Sequence, residues 1–335
     1  MKYPILKMNS TVGVTAPSSG VDEGFHSLLK ESQERLERDG FNVIMGETVW
    51  TQVKVRSAPA QKRATELQMM MEDKGIDLII PPWGGELLIE ILDKLDFSKL
   101  TPKWILGYSD LSVLLLAITL KTGIATAQGP SLVDLRGESS DDTTAMWKEV
   151  LSTKKEGSVV QYASEKYQKR WRHNDPTPWI FHLTEPTEWK TISGKDVEIE
   201  GRLLGGCIDV IRHLVGTPYG DVAKFLEQFS KGESIIWHFE NYDLNNADLR
   251  RSLVQMRYAG WFEHCSGILF GRGVNIALNG YHAIDVYREL ADELNIPIIY
   301  DIDCGHFPPQ LTLINGAFGK VVVKDEEKSI TQFFI

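Results

Sequence analysis

The sequence predicts an α/β fold of two domains with a cleft between them. Its 335 residues are about twice the length of an ordinary domain. In the first half, short β-rich runs alternate with helical patterns, which is typical of a parallel sheet covered by helices on both faces. After an irregular polar stretch, strand-like runs return and dominate the second half. We therefore expect a helix-covered parallel sheet, a second α/β domain with more β structure, and an active site in the cleft between the two domains.

The first half begins with STVGVTA, whose apolar and β-branched residues predict a buried strand over residues 10–16. The turn PSSG follows it. The further elements expected in chain order are a helix over 24–39, a strand from Phe41, a helix over 58–74, the strand GIDLII, a helix over 86–95 and the strand WILGY. Because ligands of such sheets bind at the carboxyl ends of the strands, the residues that follow each strand are candidates for a site.

Residues 152–190 break this alternation, since they are polar and aromatic, contain prolines at 176, 178 and 186, and show no sustained periodicity. We interpret residues 161–189 as a crossover, and as a flap over the cleft, between an N-terminal domain over 1–160 and a C-terminal domain over 190–335. The second domain is predicted from the runs VEIEGRLLGG, ESIIWHFEN, SGILFGRG, IPIIYDID and KVVVKD, with helical patterns over 207–214, 248–259 and 281–294.

Composition excludes several classes of function. With 36 basic and 46 acidic residues the net charge is -10, so the phosphates of nucleic acids and anionic lipids would repel the chain. No run approaches the roughly 18 apolar residues of a membrane span, and the first residues lack a secretory signal. We expect a cytoplasmic protein. Its three cysteines are widely separated and show no CxxC spacing, which argues against a disulfide framework and a zinc site.

The most informative local segment is WILGYSDLSVLLLA. An apolar strand ends at Gly107, and a helical pattern starts immediately after Ser109 and Asp110. A serine at such a turn exposes its hydroxyl at the carboxyl end of the sheet, beside helix N-terminal amides that stabilise an oxyanion. An N-cap serine would give the same local pattern. The segment also departs from the GxSxG motif, because Leu111 stands at the position of the second glycine.

A glycine pair follows the strand GIDLII in the segment PPWGGE. Glycines at the end of a strand allow the backbone to approach a ligand closely and direct amide groups at developing negative charge. Gly84 and Gly85 are therefore candidates for substrate binding and for an oxyanion hole. A tight turn without function explains the pair equally well.

A serine nucleophile requires a base and an acid. Of the eight histidines, His306 is the strongest candidate for the base, since it lies in the irregular loop DCGHFPP directly after the strand IPIIYDID. Glu240 ends the strand ESIIWHFE and is the candidate acid. Asp301 and Asp303 compete with it, because the spacing does not exclude either of them. The chain order serine, acid, histidine is also found in known triads.

Arg272 closes the strand SGILFGRG between two glycines. Its guanidinium is a candidate for binding a substrate carboxylate through paired hydrogen bonds. An arginine on the surface, flanked by glycines, is the alternative interpretation.

The chain resembles the LD-carboxypeptidase and microcin C immunity peptidase (MccF-like) family of serine hydrolases. The resemblance covers nearly the whole chain and rests on segments that recur in the same order, namely VTAPSSG, PPWGGE, KWILGYSDLS, GRLLGGCIDVI, WHFEN, GILFGRG and IYDIDCGHFPP. It implies an N-terminal Rossmann-like domain, a β-rich C-terminal domain and a homodimer. It also implies a nucleophile at Ser109, an acid at Glu240, a base at His306, and an oxyanion hole near Gly85 and Asp110. No metal and no organic cofactor is expected.

The resemblance leaves two substrate classes. One branch of the family removes the terminal D-alanine from muropeptides, and the other hydrolyses the amide between an amino acid and a nucleotide analogue. The long crossover favours the second branch, with Trp179 or Trp171 stacking on the base of the ligand. Packing between the domains explains the same tryptophans. A Rossmann-type module that binds a nucleotide or sugar without catalysis is a further alternative, although GxGxxG is missing after the first strand.

Overall fold

The computed structural model describes residues 1–170, 172, 180–230 and 232–335. Within this part of the chain, two large sheets carry most of the fold, one of six strands and one of eight. A short two-stranded ribbon lies in the crossover. This arrangement confirms the predicted α/β class, with a parallel sheet formed by the first half and a second, β-rich part.

The first half contributes five strands to the six-stranded sheet and supplies five helices. The strands are β1 (Thr11–Val14), β2 (Asn42–Met45), β3 (Leu78–Ile79), β4 (Trp104–Gly107) and β5 (Thr126–Gln128). The helices are α1 (His26–Arg38), α2 (Ala60–Glu72), α3 (Ser112–Thr122), α4 (Asp142–Ala145) and α5 (Trp147–Ser152). The expected helix over 86–95 is a 3₁₀ helix over Leu88–Lys94.

The remaining strands lie in the crossover, at its borders and in the second half of the chain. They are β6 (Ser158–Tyr162), β7 (Lys166–Tyr167), β8 (Glu185–Pro186), β9 (Lys190–Thr191), β10 (Val197–Cys207), β11 (Ile235–Glu240), β12 (Cys265–Gly271), β13 (Ile298–Ile302), β14 (Leu313–Asn315), β15 (Phe318–Val323) and β16 (Lys328–Phe333). The helices are α6 (Ile208–Ile211), α7 (Val222–Phe225), α8 (Asn246–Tyr258) and α9 (Ala283–Leu294). None of the helices in the described ranges is long and apolar enough to cross a membrane.

Each sheet contains a strand from the other half of the chain. The six-stranded order is β14-β5-β4-β3-β1-β2, with β14 antiparallel to β5 and the other pairs parallel. The eight-stranded order is β6-β16-β15-β10-β11-β12-β13-β9, in which β6 joins from the end of the first half. The two halves are therefore linked by backbone hydrogen bonds in both sheets. The boundaries at 160 and 190 stay a prediction.

Helix α3 lies between the two sheets. Its residues from Ser112 to Leu120 are buried, because the sequence SVLLLAITL is apolar around most of the helix and not on one face alone. It contacts β5 and β14 of one sheet and β10 of the other. The helix ends at Gly123, which has a φ of +66°, a left-handed conformation that glycine adopts without a steric penalty. Helix α3 therefore fixes the spacing of the sheets, and the segment before it opens at their junction.

Candidate active site

Ser109 lies at the turn that joins β4 to α3. Strand β4 ends at Gly107, and a 3₁₀ turn begins at Ser109 and leads directly into the helix. The φ of Ser109 is +60°, in the left-handed region that costs an L-residue about 1–2 kcal/mol. A residue stays in such a conformation only where its surroundings enforce it, and these conformations cluster at functional sites. The turn presents a half-buried hydroxyl at the carboxyl end of the sheet.

A chain of two hydrogen bonds joins the three side chains expected to act together. His306 Nε2 lies 3.0 Å from Ser109 Oγ, and His306 Nδ1 lies 3.0 Å from Glu240 Oε2. Because a carboxylate only accepts, Nδ1 carries the proton and donates to Glu240. This tautomer leaves Nε2 free to accept from the Ser109 hydroxyl, which is the arrangement that a general base requires.

The surroundings of His306 adjust its basicity. Burial, the largest single effect, lowers the pKa of His306, but Glu240, Asp209 and Asp243 together outweigh it, so that the pKa lies above its usual value. The ring stacks on Tyr242, with centroids 4.1 Å apart and planes at 19°. The edge of Tyr108 packs against it at 5.1 Å. The imidazole is therefore held between two aromatic rings, and its surroundings favour the protonated form.

Glu240 ends β11 and is completely buried. The sheet register places it beside Cys207, the last residue of β10. Burial, with Glu240 and Asp209 nearby, raises the pKa of the Cys207 thiol well above its usual value, so that the thiol stays protonated. The competing carboxylates are engaged elsewhere, since Asp303 pairs with Arg272 at 2.6 Å and Asp301 with Lys190 at 3.1 Å.

The segment that carries His306 crosses from one sheet to the other. It leaves β13 in the eight-stranded sheet and enters β14 in the six-stranded sheet. At its start, Asp303 accepts hydrogen bonds from Ser164 and from the Trp189 indole. At its end, the backbone of Thr312 makes two hydrogen bonds of 2.9 Å with the side chain of Gln161 on β6. Because both ends are fixed, the imidazole stays within reach of side chains from both sheets.

The glycine pair lies directly against Ser109 and the segment before it. A Cβ atom on Gly84 would lie 2.6 Å from Ser109 Cβ and 2.7 Å from its Oγ, distances that only glycine permits. Gly85 has a φ of +144°, and a Cβ atom there would collide with Ser18 and Ser19. The pair is therefore required for close approach of two backbone segments. Contacts with other segments therefore restrict both positions to glycine more strongly than a tight turn would.

The side chain of Asp110 fixes this arrangement. Its buried carboxylate accepts hydrogen bonds from the Ser18 hydroxyl and from the Leu88 amide, at 2.5 and 2.8 Å. Burial raises the pKa of Asp110, and the two donors partly oppose the rise. The carboxylate points into the protein, so that the backbone amide of Asp110 is the group that remains next to Ser109.

Sequence reasoning did not identify Asp209 and Tyr242. The Asp209 carboxylate accepts three backbone N–H bonds, from Tyr242, Asp243 and Leu244, at 2.7 to 3.0 Å. These bonds fix the loop that follows Glu240 and hold Tyr242 against the His306 ring. In the sequence, the signal that could have identified Asp209 is its position just after the apolar run GRLLGGC. The structure shows that this run is a strand beside the strand of Glu240.

A cavity of about 350 Å³ opens over Ser109 and His306. Both glycines of the pair, Tyr108, Tyr242 and Trp83 line it. Trp83, which sequence reasoning also missed, donates its indole N–H to the carbonyl of Gly20 at 2.9 Å and so presents a fixed aromatic surface. The cavity has the dimensions of a small-ligand site.

Sequence comparison assigns the family. Residues 12–129 match the profile of the LD-carboxypeptidase N-terminal domain, and residues 200–321 match that of the C-terminal domain. The chain belongs to the LD-carboxypeptidase family. A Vibrio cholerae protein that carries a carboxypeptidase name is 27% identical over 94% of this chain and 93% of its own length. The microcin C7 self-immunity protein MccF of Escherichia coli is 25% identical over 98% of this chain and 95% of its own.

Solved structures of related LD-carboxypeptidase family proteins share the fold. An MccF-like protein from Bacillus anthracis superposes with a TM-score of 0.84 at 22% identity and covers 99% of both chains. MccF bound to glutamyl sulfamoyl guanosine gives a TM-score of 0.81 at 23% identity, over 99% of this chain and 98% of the other. The fold predicted from the sequence, with a parallel-sheet domain and a β-rich domain, is the two-domain fold of these proteins.

Arg272 takes no part in the cavity of this LD-carboxypeptidase family member. Its buried guanidinium pairs with Asp303 and lies 4.6 Å from the centre of the Tyr167 ring. It therefore stabilises the start of the His306 segment. Because the side chain is buried, the alternative interpretation as a surface arginine is wrong, and its role in binding a substrate carboxylate stays a prediction. Trp171 and Trp179, the predicted stacking residues, lie outside the described residues.

The described residues contain no group of three His, Cys, Asp or Glu side chains arranged to hold a metal ion. The three cysteines are free thiols. Burial raises the pKa of Cys265 to about 12, and it raises that of Cys304 even further. These thiols are therefore protonated at neutral pH.

Proposed function

We propose that this protein is a serine hydrolase that cleaves an amide bond near the C-terminal end of a small aminoacyl or peptidyl substrate through an acyl-enzyme. The observation that carries the proposal is the hydrogen-bonded chain from Ser109 through His306 to Glu240, with 3.0 Å at each link. The family profiles over both parts of the chain support the same reaction class.

In the proposed reaction, His306 Nε2 removes the proton of Ser109 as Oγ attacks the scissile carbonyl. The buried charge of Glu240 stabilises the resulting imidazolium. The backbone amides of Gly85 and Asp110 would donate to the oxyanion, where one such donor is typically worth about 3–4 kcal/mol. The imidazolium then protonates the leaving amine. A water molecule, activated by the same imidazole, hydrolyses the ester and restores the serine.

The proposed substrates are aminoacyl nucleotides related to microcin C. Two features support them: the similarity to MccF along nearly the whole chain, and the fixed aromatic face of Trp83 in the cavity, on which a base could stack. The alternative is a muropeptide tetrapeptide that loses its terminal D-alanine, which the LD-carboxypeptidase profiles support. Parallel turnover of aspartyl sulfamoyl adenosine and a muropeptide tetrapeptide separates the two, since only the true substrate reaches a high kcat/KM.

A fluorophosphonate probe tests the reaction class itself. The probe should label the wild-type protein and the exposed-loop control Ser193→Ala equally, and Ser109→Ala should not be labelled at all. Labelling that persists in Ser109→Ala would move the nucleophile elsewhere. A folded wild-type protein that neither reacts with the probe nor hydrolyses either substrate would instead favour a module that binds its ligand without catalysis.

From the resemblance to the LD-carboxypeptidase and MccF-like family, we propose that the protein acts in the cytoplasm as a homodimer. Light scattering coupled to size-exclusion chromatography should give twice the 37.8 kDa mass of the chain. A monomer with full activity would contradict the dimer.

A further inference from the structure

The charged residues that line the Ser109 cavity share one sign. Among the described residues around it, His306 is accompanied by four carboxylates, and no lysine or arginine is present. The four acidic residues come from different segments of the chain, namely Asp22, Glu86, Asp209 and Asp243. Any charged group of a substrate that enters the cavity therefore meets a negative potential.

Two of these carboxylates are both close to the reacting groups and free of partners. Glu86 directly follows the glycine pair, and Asp243 lies three positions after Glu240. In the described part of the chain, neither side chain makes a hydrogen bond or an ion pair, whereas Asp209 accepts three backbone N–H bonds. Glu86 and Asp243 are both exposed at the edge of the cavity, so their carboxylates face solvent and are accessible to a charged group of a ligand.

Repulsion from neighbouring carboxylates contributes to a raised pKa of both groups. Burial, followed by Asp110 and Asp243, raises the pKa of Glu86. Burial, followed by Asp209 and Glu240, raises the pKa of Asp243, and His306 opposes the rise. A cation placed between them would relieve this repulsion, and a second carboxylate would add to it.

We propose that the cavity selects substrates that carry an ammonium or guanidinium group close to the scissile amide, with Glu86 and Asp243 as the residues that recognise it. This inference rests on the proposed hydrolase function. It distinguishes the chain from MccF as solved with glutamyl sulfamoyl guanosine, because an acidic aminoacyl group would be repelled here. The cation is either the α-ammonium of an aminoacyl group or the end of a basic side chain.

The test uses sulfamoyl adenosines that differ only in the aminoacyl group, which is lysyl, glutaminyl, glutamyl or N-acetyl-glutaminyl. The value of kcat/KM is measured for the wild-type protein, for the double variant Glu86→Gln with Asp243→Asn, and for the control Asp325→Asn, whose carboxylate is exposed and remote from the cavity. The affinity of each compound for Ser109→Ala, with and without the double substitution, is measured by calorimetry. Binding is therefore read independently of turnover.

For the wild-type protein we expect kcat/KM to fall about tenfold with each unit of net positive charge removed, from the lysyl to the glutaminyl or from the glutaminyl to the glutamyl compound. The ratio is modest because both carboxylates are partly exposed. A lower kcat/KM after N-acetylation of the glutaminyl compound assigns the cation to the α-ammonium. A lower kcat/KM for the glutaminyl than for the lysyl compound assigns it to the side chain. The double variant should reduce these ratios to less than threefold, while Asp325→Asn leaves them unchanged.

Equal kcat/KM and equal affinity for all four compounds would overturn the inference, as would preference for the glutamyl compound or ratios that persist in the double variant. Absence of binding to Ser109→Ala overturns it as well. Turnover without charge preference refutes the inference alone and leaves the hydrolase in place. Charge-ordered binding without turnover, and without fluorophosphonate labelling of the wild-type protein, supports the inference and refutes the hydrolase.

Discussion

Replacement of Gly84 with alanine should slow the acylation of Ser109 about 100-fold, because a methyl group has no space beside the nucleophile. The added Cβ would lie 2.6 Å from Ser109 Cβ, 2.7 Å from its Oγ and 3.1 Å from the amide of Asp110. Ordinary contacts between carbon atoms are about 3.5 to 4.0 Å, so the glycine segment and the serine must move apart by about 1 Å. A misplacement of this size is sufficient for a loss of about 100-fold, or about 2.7 kcal/mol of activation free energy.

The rate of fluorophosphonate labelling measures this effect without knowledge of the natural substrate. The matched control is Gly24→Ala, because a Cβ atom at Gly24 meets no atom within 4 Å. Overpacking at Gly84 should also lower the free energy of unfolding by about 1–3 kcal/mol, which a urea titration measures. The labelling rates of the variants are therefore compared at urea concentrations well below the midpoint of unfolding.

Labelling of folded Gly84→Ala within threefold of the wild-type rate would refute the proposed role of the glycine segment. The same result would show that the backbone near residue 84 adjusts without disturbing the Ser109 hydroxyl. An equal loss in Gly24→Ala would indicate a general effect of alanine on the fold. Only a loss confined to residue 84 supports the close approach as a requirement of the reaction.

Three further changes test two side chains near Ser109 and one buried histidine outside the cavity. Glu240→Gln should reduce labelling by roughly 10³- to 10⁴-fold with an unchanged near-UV spectrum, since the neutral amide neither supports the imidazolium nor fixes the tautomer of the base; a rate near that of the wild type would reassign the acid. Asp209→Asn should lower the pKa of His306, because it removes one of the negative charges that raise it. The acid limb of the labelling rate then moves to lower pH, and an unmoved limb contradicts this. His238 is fully buried, and burial lowers its pKa to about 4. The unfolded chain binds this proton near pH 6.5, so the wild type should lose about 3 kcal/mol of unfolding free energy between pH 6.5 and 4 through this group, and His238→Gln should not; parallel urea titrations at both pH values check this difference.

Placement of residues at strand ends, together with the family resemblance, indicated the three side chains that the structure joins. Ser109 follows β4 of the six-stranded sheet, whereas Glu240 ends β11 and His306 follows β13 of the eight-stranded sheet. Ligand sites of such sheets lie at the carboxyl ends of the strands. The choice between Glu240 and its competitors could not be made in the same way. Asp301 and Asp303 also lie at the end of β13, and only the ion pairs with Lys190 and Arg272 show that they are engaged elsewhere.

The glycines around Arg272 have a structural cause that the local sequence pattern does not reveal. A Cβ atom on Gly271 would lie 2.2 Å from the carbonyl of Cys304, and one on Gly273 would lie 2.4 Å from that of Asn241. Both glycines are therefore required by neighbouring backbone and not by a ligand. The neighbours belong to segments more than 30 residues away in the chain, and sequence periodicity contains no information on which segments these are.

The exchange of strands between the two halves could not be predicted from the sequence, and it determines the position of the site. Strand β14 has only three residues, so no periodicity distinguishes it from a loop, yet it pairs with β5 beside the strand that leads to Ser109. The segment of His306 must therefore span from one sheet to the other. Ser109 comes from the six-stranded sheet and Glu240 from the eight-stranded sheet, so His306, which is held by both sheets, is positioned by covalent connection as well as by packing. For this reason the three side chains reach hydrogen-bonding distance without closure of the two halves, and separation of the halves would carry His306 away from one of its partners.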